Sequence, residues 1–544
     1  MKTFKQFFSE QTKQKLDNWN SVVSSSDELQ AALDILKTIT THGAEALIVG
    51  GAVRDIILGK TPHDVDIATN MDLEQVADIF KSFDIGKSKD FGIVAVPHKG
   101  YTFEIAHYRE EFGSSDARHP DQVRDVGTFE RDSARRDITI NSLGLDHTGT
   151  IIDYQGGLED LKNGLIRAVG DPGDRIKEDT LRIIRAIRFA AKFGFDIEPD
   201  TKQAVQELGH MLFRDEQDPD KTGVSAERLH DELFKMAESG GPALASFLEK
   251  MDEVGLLEQF LPEVKAMQGV EHNPEHHPEG DVYQHVLAAL RASTTTNKPV
   301  TTLAVLFHDI GKPGTHDPAD GKHTFHRHGK HGVEVFRDIA NRLKFSNDEK
   351  NAIAWVIENH MKPYLSHEMK PNKLIALKNN KFWPELKDVL YADIHARGDD
   401  TRFTQEYDKI MKDFETRTAG MGDAAETKAK LSSLVNGKMV MDITGAQGPE
   451  VGRILKHVHE WILDTKPTPT KQQVIDYINT MALQFDENFK DGKKKGKSRP
   501  GRVKRAGASC SGSVTSLRKK AKAGGEKGKM YHWCANMKSG RKKK

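Results

Sequence analysis

The spacing of apolar residues changes along the chain, and the changes divide it. "ALIVGG" ending at Gly51 is an unbroken apolar run closed by a glycine pair, which predicts a buried strand running into a tight turn. "AVRDIILG" continues with helical spacing and a glycine stop at Gly59. "HDVDIAT" then alternates Val65 and Ile67 with Asp64 and Asp66. Positions i and i+2 of a strand share a face, so a strand is expected here, with both carboxylates on one side and Val65 and Ile67 in the core. "TFEIAHY" predicts a further strand carrying an inward-facing acid, Glu104. From about residue 27 to 160, helix-like and strand-like segments alternate, as in a small α/β domain. From Leu161 the period becomes mostly helical, with "DTLRIIRAIRFAAKFGF" strongly amphipathic. Residues 263–410 are helical in period and rich in histidine, and residues 425–484 form another helical piece interrupted by "GAQGPEVG".

A chain of 544 residues is expected to hold several domains. The pattern divides it into a leader at 1–26, an α/β domain at 27–160, and helical regions at 161–262, 263–410 and 411–484. Residues 485–544 form a tail expected to be disordered, or ordered only by nucleic acid. The formal charge of −1 hides an asymmetry. Residues 491–544 hold 19 Lys/Arg against Asp491 and Glu526, a net of +17, which leaves −18 on the rest. Such a tail attracts RNA or DNA through its lysines. No apolar run approaches a membrane span, and the N-terminus lacks the apolar core of a secretory signal. Only Cys510 and Cys534 are present, so no disulfide framework is expected. Two free thiols in a reducing, cytoplasmic setting are the expectation.

Three clusters carry chemistry. Asp64 and Asp66 repel each other unless a positive object sits between them, and oxygen donors of this kind suit Mg²⁺ in a phosphate-handling site. "SARRDITINSLGLD" adds Arg136, a multi-donor group for phosphate oxygens, and Asp137, an acceptor for a ribose hydroxyl. In "EDTLRIIRAIRF", Asp179 and Arg182 are helix neighbours at i,i+3, with Arg185 and Arg188 extending the face. This pattern fits a salt bridge. It also fits a base reader, because a fixed carboxylate–arginine pair presents acceptor then donor. Cytosine and adenine match that order, whereas guanine and uracil leave dipoles opposed, at a cost in a dry site. The third cluster is "DVYQHVLAAL" with His285, "LAVLFHDIGKP" with His308 and Asp309, "HRHGKHGVEV" with His328 and His331, "VIENHM" with His360 and "ADIHARG" with Asp393. Nitrogen and carboxylate donors in this mix suit Mn, Ni, Fe or Zn more than Mg.

"GGAVRDIILG…DVDIAT", "RRDITINSLG", "EDTLRIIRAIRF" and "VSAERLHDEL" resemble, in order and spacing, the motifs of bacterial-type (class II) tRNA nucleotidyltransferases and poly(A) polymerases, over about 40–260. The resemblance implies a polymerase-beta-like α/β palm at 27–160, followed by mostly α-helical neck and body (161–262), HD and tail domains. It implies that Asp64 and Asp66 bind Mg²⁺ and that Gly51 and Arg54 touch the incoming triphosphate. Arg136, Asp137, Asp179, Arg182, Arg185 and Arg188 would hold the nucleotide, and Glu104 is a further candidate beside the metal. The implied reaction adds CCA to the 3′ end of tRNA from CTP and ATP. Poly(A) addition and A-only or CC-only addition share the same motifs. The histidine pattern resembles the HD phosphohydrolases fused to some bacterial CCA-adding enzymes, which act as phosphatases or 2′,3′-cyclic phosphodiesterases. There His285, His308, Asp309 and Asp393 are the implied metal ligands, and His331 and His360 are candidates for a second metal or a phosphate. From another class, the palm would be an RNA-binding scaffold with only the HD centre catalytic; the Asp64/Asp66 pair argues against this. "MKTFKQFFSE" resembles the capsid-targeting leader of internal head proteins of large tailed phages, with cleavage after Glu10 and packaging into the virion. "RVKRAGASCSGSVTSLRKKAK…GKMYHWCANMKSGRKKK" resembles a small basic module of phage proteins.

Overall fold

The computed structural model describes residues 13–17, 19–62, 64–82, 93–112, 122–125, 127–213, 223–273, 277–318, 323–398, 400–419, 424–465, 469–490, 509–511, 513–522, 527 and 530–535. Residues 1–10, the expected targeting peptide, lie outside this set. The chain forms two compact units, Met1–Pro363 with Pro384–Asp408, and Tyr364–Trp383 with Lys409–Lys544.

The first unit is built on a seven-stranded sheet. Its strands are β1 (Lys13–Lys15), β2 (Ala46–Val49), β3 (Asp66–Thr69), β4 (Ile93–His98), β5 (Tyr101–His107), β6 (Gly144–Leu145) and β7 (Thr150–Ile152), in the order β1-β7-β6-β2-β3-β5-β4. Part of the expected leader therefore belongs to the fold, because β1 pairs with β7. Helix α1 (Asp27–Thr41) starts at Ser26, whose side chain accepts from the Leu29 amide, and buries Leu29, Ile35, Leu36 and Ile39. These residues share one apolar core with Ile48, Ile67 and Ile105.

β2 is buried along its length and ends at Val49, opposite Asp66 of antiparallel β3. The chain then turns at Gly50, φ 72°, into α2 (Gly51–Ile57). That turn shortens the predicted strand around the acids. Beyond Val49 there is no β2 backbone to pair with, so β3 begins at Asp66 and not before Asp64. Asp64 lies just outside, in the left-handed region at φ 72°, which is uncommon for a residue other than glycine. Its nearness to Asp66 comes from this turn and not from strand alternation.

Beyond the sheet come α3 (Phe129–Ala134), α4 (Pro172–Glu178), α5 (Leu181–Phe193), α6 (Ala226–Glu238) and α7 (Gly241–Glu253). α5 buries Ile183, Ile184, Ile187 and Ala190 on one face, as its amphipathic period requires. The histidine-rich helices are α8 (Val282–Ala292), α9 (Pro299–Phe307), α10 (His328–Arg342), α11 (Asn347–Asn359) and α12 (Trp383–His395).

In the second unit, α13 (Pro449–Asp464) starts directly after Gly448, φ 57°, with Pro449 in its first turn. It packs Val458 and Ile462 against Val474 and Ile478. The C-terminal tail departs from expectation. Cys510 and Cys534 are disulfide-bonded, not free, and with Leu517, Met530 and Ala535 they make a small core under α14 (Val514–Ala521). Lysine and glycine dominate the tail's average composition and hide these few apolar positions. Among the described residues, no helix is long and apolar enough to cross a membrane.

Candidate active sites

At the palm edge the acids meet. β3 and β5 are parallel, with Ile67 opposite Ile105, so Glu104 is carried beside Asp66. Asp64, Asp66 and Glu104 all reach solvent. The Asp66 carboxyl is nevertheless pushed above its ordinary value, by partial desolvation first and then by the charges of Glu104 and Asp64, against Arg136. The edge is therefore short of positive charge. Among the described residues, the sets of three His, Asp or Glu donors lying within 4.8 Å of one another all occur in the histidine-rich helices and the segment leading into them. The palm acids are thus an open edge and not a closed cage, which fits a cation that completes its shell with water and substrate phosphate.

Behind the edge, arginines and acids are paired with each other. Arg136 donates to Asp132 at 3.1 Å and to the Asn141 carbonyl at 3.4 Å. Asp132 is buried, yet Arg136 and Arg135 outweigh that burial and hold its carboxyl below the ordinary value. Arg54 is buried and spans Asn141 and Asp55, with its guanidinium 4.6 Å from the Phe193 ring centre. A Cβ on Gly51 would come within 3.3 Å of Arg54 Nη2, so glycine there keeps the turn close to this arginine. Asp137 accepts from Arg185 at 2.5 and 2.9 Å. Burial alone would raise the Asp137 carboxyl, but Arg185 brings it below its ordinary value. Arg188 is buried against Glu232 of α6 at 2.5 Å.

Asp179 and Arg182 are not i,i+3 partners on one helix. The helical period breaks at Asp179, which ends α4 in an extended conformation with φ −147°. Its carboxylate accepts from the Leu181 amide at 3.0 Å and from Arg228 of α6 at 2.8 and 3.1 Å. Arg182 donates to Glu178 at 2.8 Å and to the Arg175 and Arg135 carbonyls. Both side chains are partly exposed. Arg228 is the residue that sequence reasoning missed. Its signal was present, an arginine in "VSAERLHDEL", but nothing in the local period ties it to Asp179, 49 residues away.

The second site is enclosed. His285 from α8, His308 and Asp309 just after α9, His328 opening α10, His360 just after α11 and Asp393 from α12 converge. Each imidazole spends Nδ1 on an acceptor. His308 donates to the Val305 carbonyl, His328 to Phe325 and His360 to Ile357, at 2.7 to 2.8 Å. His285 donates to the Glu279 carboxylate at 2.6 Å. All four Nε2 atoms are left facing inward, with His285 to His308 at 3.3 Å and His328 to His360 at 3.0 Å. Nitrogens that close favour a cation between them. His285, His308 and Asp393 form one donor set, and Asp309, His328 and His360 form another. Asp309 joins the two sets: Oδ2 is 3.3 Å from His308 Nε2, and Oδ1 is 3.5 Å from both His328 and His360. Asp309 Oδ1 is buried without a hydrogen-bond partner. Burial would disfavour charge on His285, yet Asp393 and Glu279 bring it up to about 9, whereas at His328 burial prevails and takes it down to about 4. This donor set fits metal ions, and mixed imidazole and carboxylate donors suit first-row transition metals.

His331 is not part of the cluster. Its ring packs over Gly314 and faces Glu334 near the surface. One turn separates it from His328, and His328 opens α10 with its ring turned inward to complete the second donor set.

Three family models match the chain: the poly A polymerase head domain at 46–167, the probable RNA and SrmB-binding site of polymerase A at 194–268, and the HD domain at 282–398. The CCA-adding enzyme of Ligilactobacillus salivarius is 42% identical over 226 residues, 41% of this chain and 53% of that protein, so the match spans about half its length. That of Lactobacillus johnsonii is 36% identical over 315 residues, 58% of this chain and 71% of that protein. A solved structure, the Bacillus stearothermophilus CCA-adding enzyme in complex with CTP, aligns with a TM-score of 0.60 and 25% identity, covering 85% of this chain and all of that one. An open acidic edge on a palm sheet, paired arginines behind it and relatives of this length and identity agree: the chain belongs to the CCA-adding enzyme family.

Proposed function

We propose that the chain adds cytidine and adenosine residues to the 3′ end of tRNA from CTP and ATP, and that its HD centre hydrolyses phosphoesters. The observation that carries the first part is the convergence of Asp64, Asp66 and Glu104 at one edge of the sheet, where desolvation first and the neighbouring carboxylates second raise Asp66, with Arg136 nearby. Asp64 and Asp66 would hold Mg²⁺, which would supply charge neutralisation for phosphoryl transfer. The protein's own share is positioning and electrostatics. Arg136 faces the acidic edge and Arg54 backs the turn at Gly51, where a triphosphate would lie. Asp179 and Arg182 present acceptor and donor from the α4–α5 junction, and Arg228 fixes the acceptor. Asp137 and Arg185 hold one another, which leaves the ribose as the group that Asp137's remaining lone pairs would meet. Arg188, locked to Glu232, supports α5 from behind. The N-terminus of α13 would meet an RNA phosphate with the positive end of its helix dipole.

In the HD centre, His285, His308, Asp309, His328, His360 and Asp393 would hold transition-metal ions such as Mn²⁺, Ni²⁺, Fe²⁺ or Zn²⁺, which supply Lewis-acid activation of water and of a phosphoryl oxygen. Lys312, 2.5 Å from Asp309, would offset the negative charge of the carboxylates and of an incoming phosphate. A 2′,3′-cyclic phosphate on a damaged RNA end suits an enzyme that then rebuilds that end. The test of the first activity is purified protein incubated with tRNA transcripts ending before CCA, after C and after CC, with each NTP alone. C, C and A additions in that order support CCA addition. Long adenosine tails on any RNA would point to poly(A) synthesis, and a response from one acceptor only would point to partial addition.

A further inference from the structure

Three of the four inward-facing histidines anchor Nδ1 on a backbone carbonyl. His285 alone uses a charged side chain, Glu279 Oε1 at 2.6 Å. The same oxygen accepts from His277 Nδ1 at 2.9 Å. His277 lies with its ring centre 4.0 Å from that of His272, and His272 Nε2 sits 2.9 Å from Lys312 Nζ, which in turn meets Asp309. Glu279, His277 and His272 precede α8 and fall between the matched regions at 194–268 and 282–398. His285 is completely buried, and Glu279 is the acceptor that its Nδ1 reaches.

We propose that Glu279 is a positioning residue of the HD centre: it holds His285 by Nδ1 so that Nε2 is aimed at Asp393 and His308, and thereby sets the centre's affinity for divalent cations. This rests on the metal reading of the HD site. A carboxylate behind a ligating imidazole fixes its tautomer and orientation and raises its basicity, and losing such a partner weakens metal affinity by about 10–100-fold. A carbonyl can do the first but adds no negative charge. The His285 position is therefore the one where replacing the partner should change affinity most. His277 steers the carboxylate by sharing it, so His277 and Glu279, which precede α8, belong to the centre.

The test uses the full chain stripped of metal, then titrated with Mn²⁺ and Zn²⁺ against a chromogenic chelator, for wild type, Glu279→Gln and Glu279→Ala. The histidine tautomers are read by ¹⁵N NMR on the zinc-loaded protein. Wild type is expected to bind tightest. Glu279→Gln keeps an acceptor without charge and should weaken binding by about tenfold, and Glu279→Ala by up to about 100-fold, with the His285 tautomer no longer uniform. Glu279→Gln carries the test if the alanine variant does not fold. Equal affinity and an unchanged tautomer in the glutamine variant would overturn the role of Glu279. A wild-type chain that takes up no cation would instead overturn the metal reading itself.

Discussion

The two centres of the first unit solve opposite problems with similar residues. The HD centre is closed: four imidazoles and two carboxylates point inward, their Nδ1 hydrogens committed, with His285 at 0% exposure and Asp309 at 2%. Its inward donors are arranged before anything binds. The palm site is open. Its acids face solvent, and its arginines are neutralised by protein acids: Arg136 by Asp132, Arg185 by Asp137, Arg188 by Glu232. Such pairs hold the arginines in place behind the open edge. Under the proposed function, a palm site that admits three successive acceptors and two nucleotides would need this openness, and a centre that retains ions would need the enclosure of the histidine cluster.

The contrast is broken most strongly by removing inward donors. His308→Ala with Asp309→Ala should abolish metal-dependent hydrolysis of 2′,3′-cAMP across a panel of Mn²⁺, Ni²⁺, Fe²⁺ and Zn²⁺ while tRNA extension persists. Extension lost in step with hydrolysis would mean that the HD helices support the nucleotidyltransferase. Next in size is Glu232→Ala, which leaves Arg188 buried and uncompensated; a loss of about 3–5 kcal/mol is expected from denaturant unfolding. A cost near zero would show that the pair is solvated in solution.

Smaller again is the base reader. Asp179→Ala should relax discrimination against UTP and GTP by about 10–100-fold in kcat/KM ratio, the value of one polar group left unpaired once a bound base excludes water. Arg228→Ala leaves the acceptor in place but unfixed, so it should slow addition more than it relaxes selectivity. Unchanged selectivity in Asp179→Ala would leave the carboxylate as Arg228's ion-pair partner and nothing more. The smallest effect concerns pH. Asp132 is held below its ordinary 3.8 by Arg136 and Arg135 despite burial. A depressed carboxylate contributes stability that is present above its unfolded value and lost as pH falls through the folded one. Thermal unfolding between pH 6 and 3 should therefore fall less steeply in Asp132→Asn than in wild type.

Local pattern made some of this legible. The ALIV strand, the glycine turn and the α5 amphipathicity follow from periods and breakers within a few residues. His308 and Asp309 stood out because adjacent polar groups on an apolar helix have few packing explanations. What local pattern missed depends on distant chain. Asp64 left the strand because β2 ends at Val49. Asp179 found Arg228, and not Arg182, because α6 packs beside α5. His328 outranked His331 because helix phase in the fold, not spacing, decides which of two histidines points inward. The Cys510–Cys534 bridge was masked by the charge around it.

The separation of the two centres is tested most directly by one extension assay on tRNA lacking CCA, run with wild type, Asp66→Ala and the His308→Ala/Asp309→Ala double variant, with CTP and ATP together. The prediction is full extension by wild type, none by Asp66→Ala although its HD centre still takes up divalent cations, and wild-type extension by the double variant. Extension by Asp66→Ala at the wild-type rate would contradict the account, because the acidic edge would then not be where nucleotide is added.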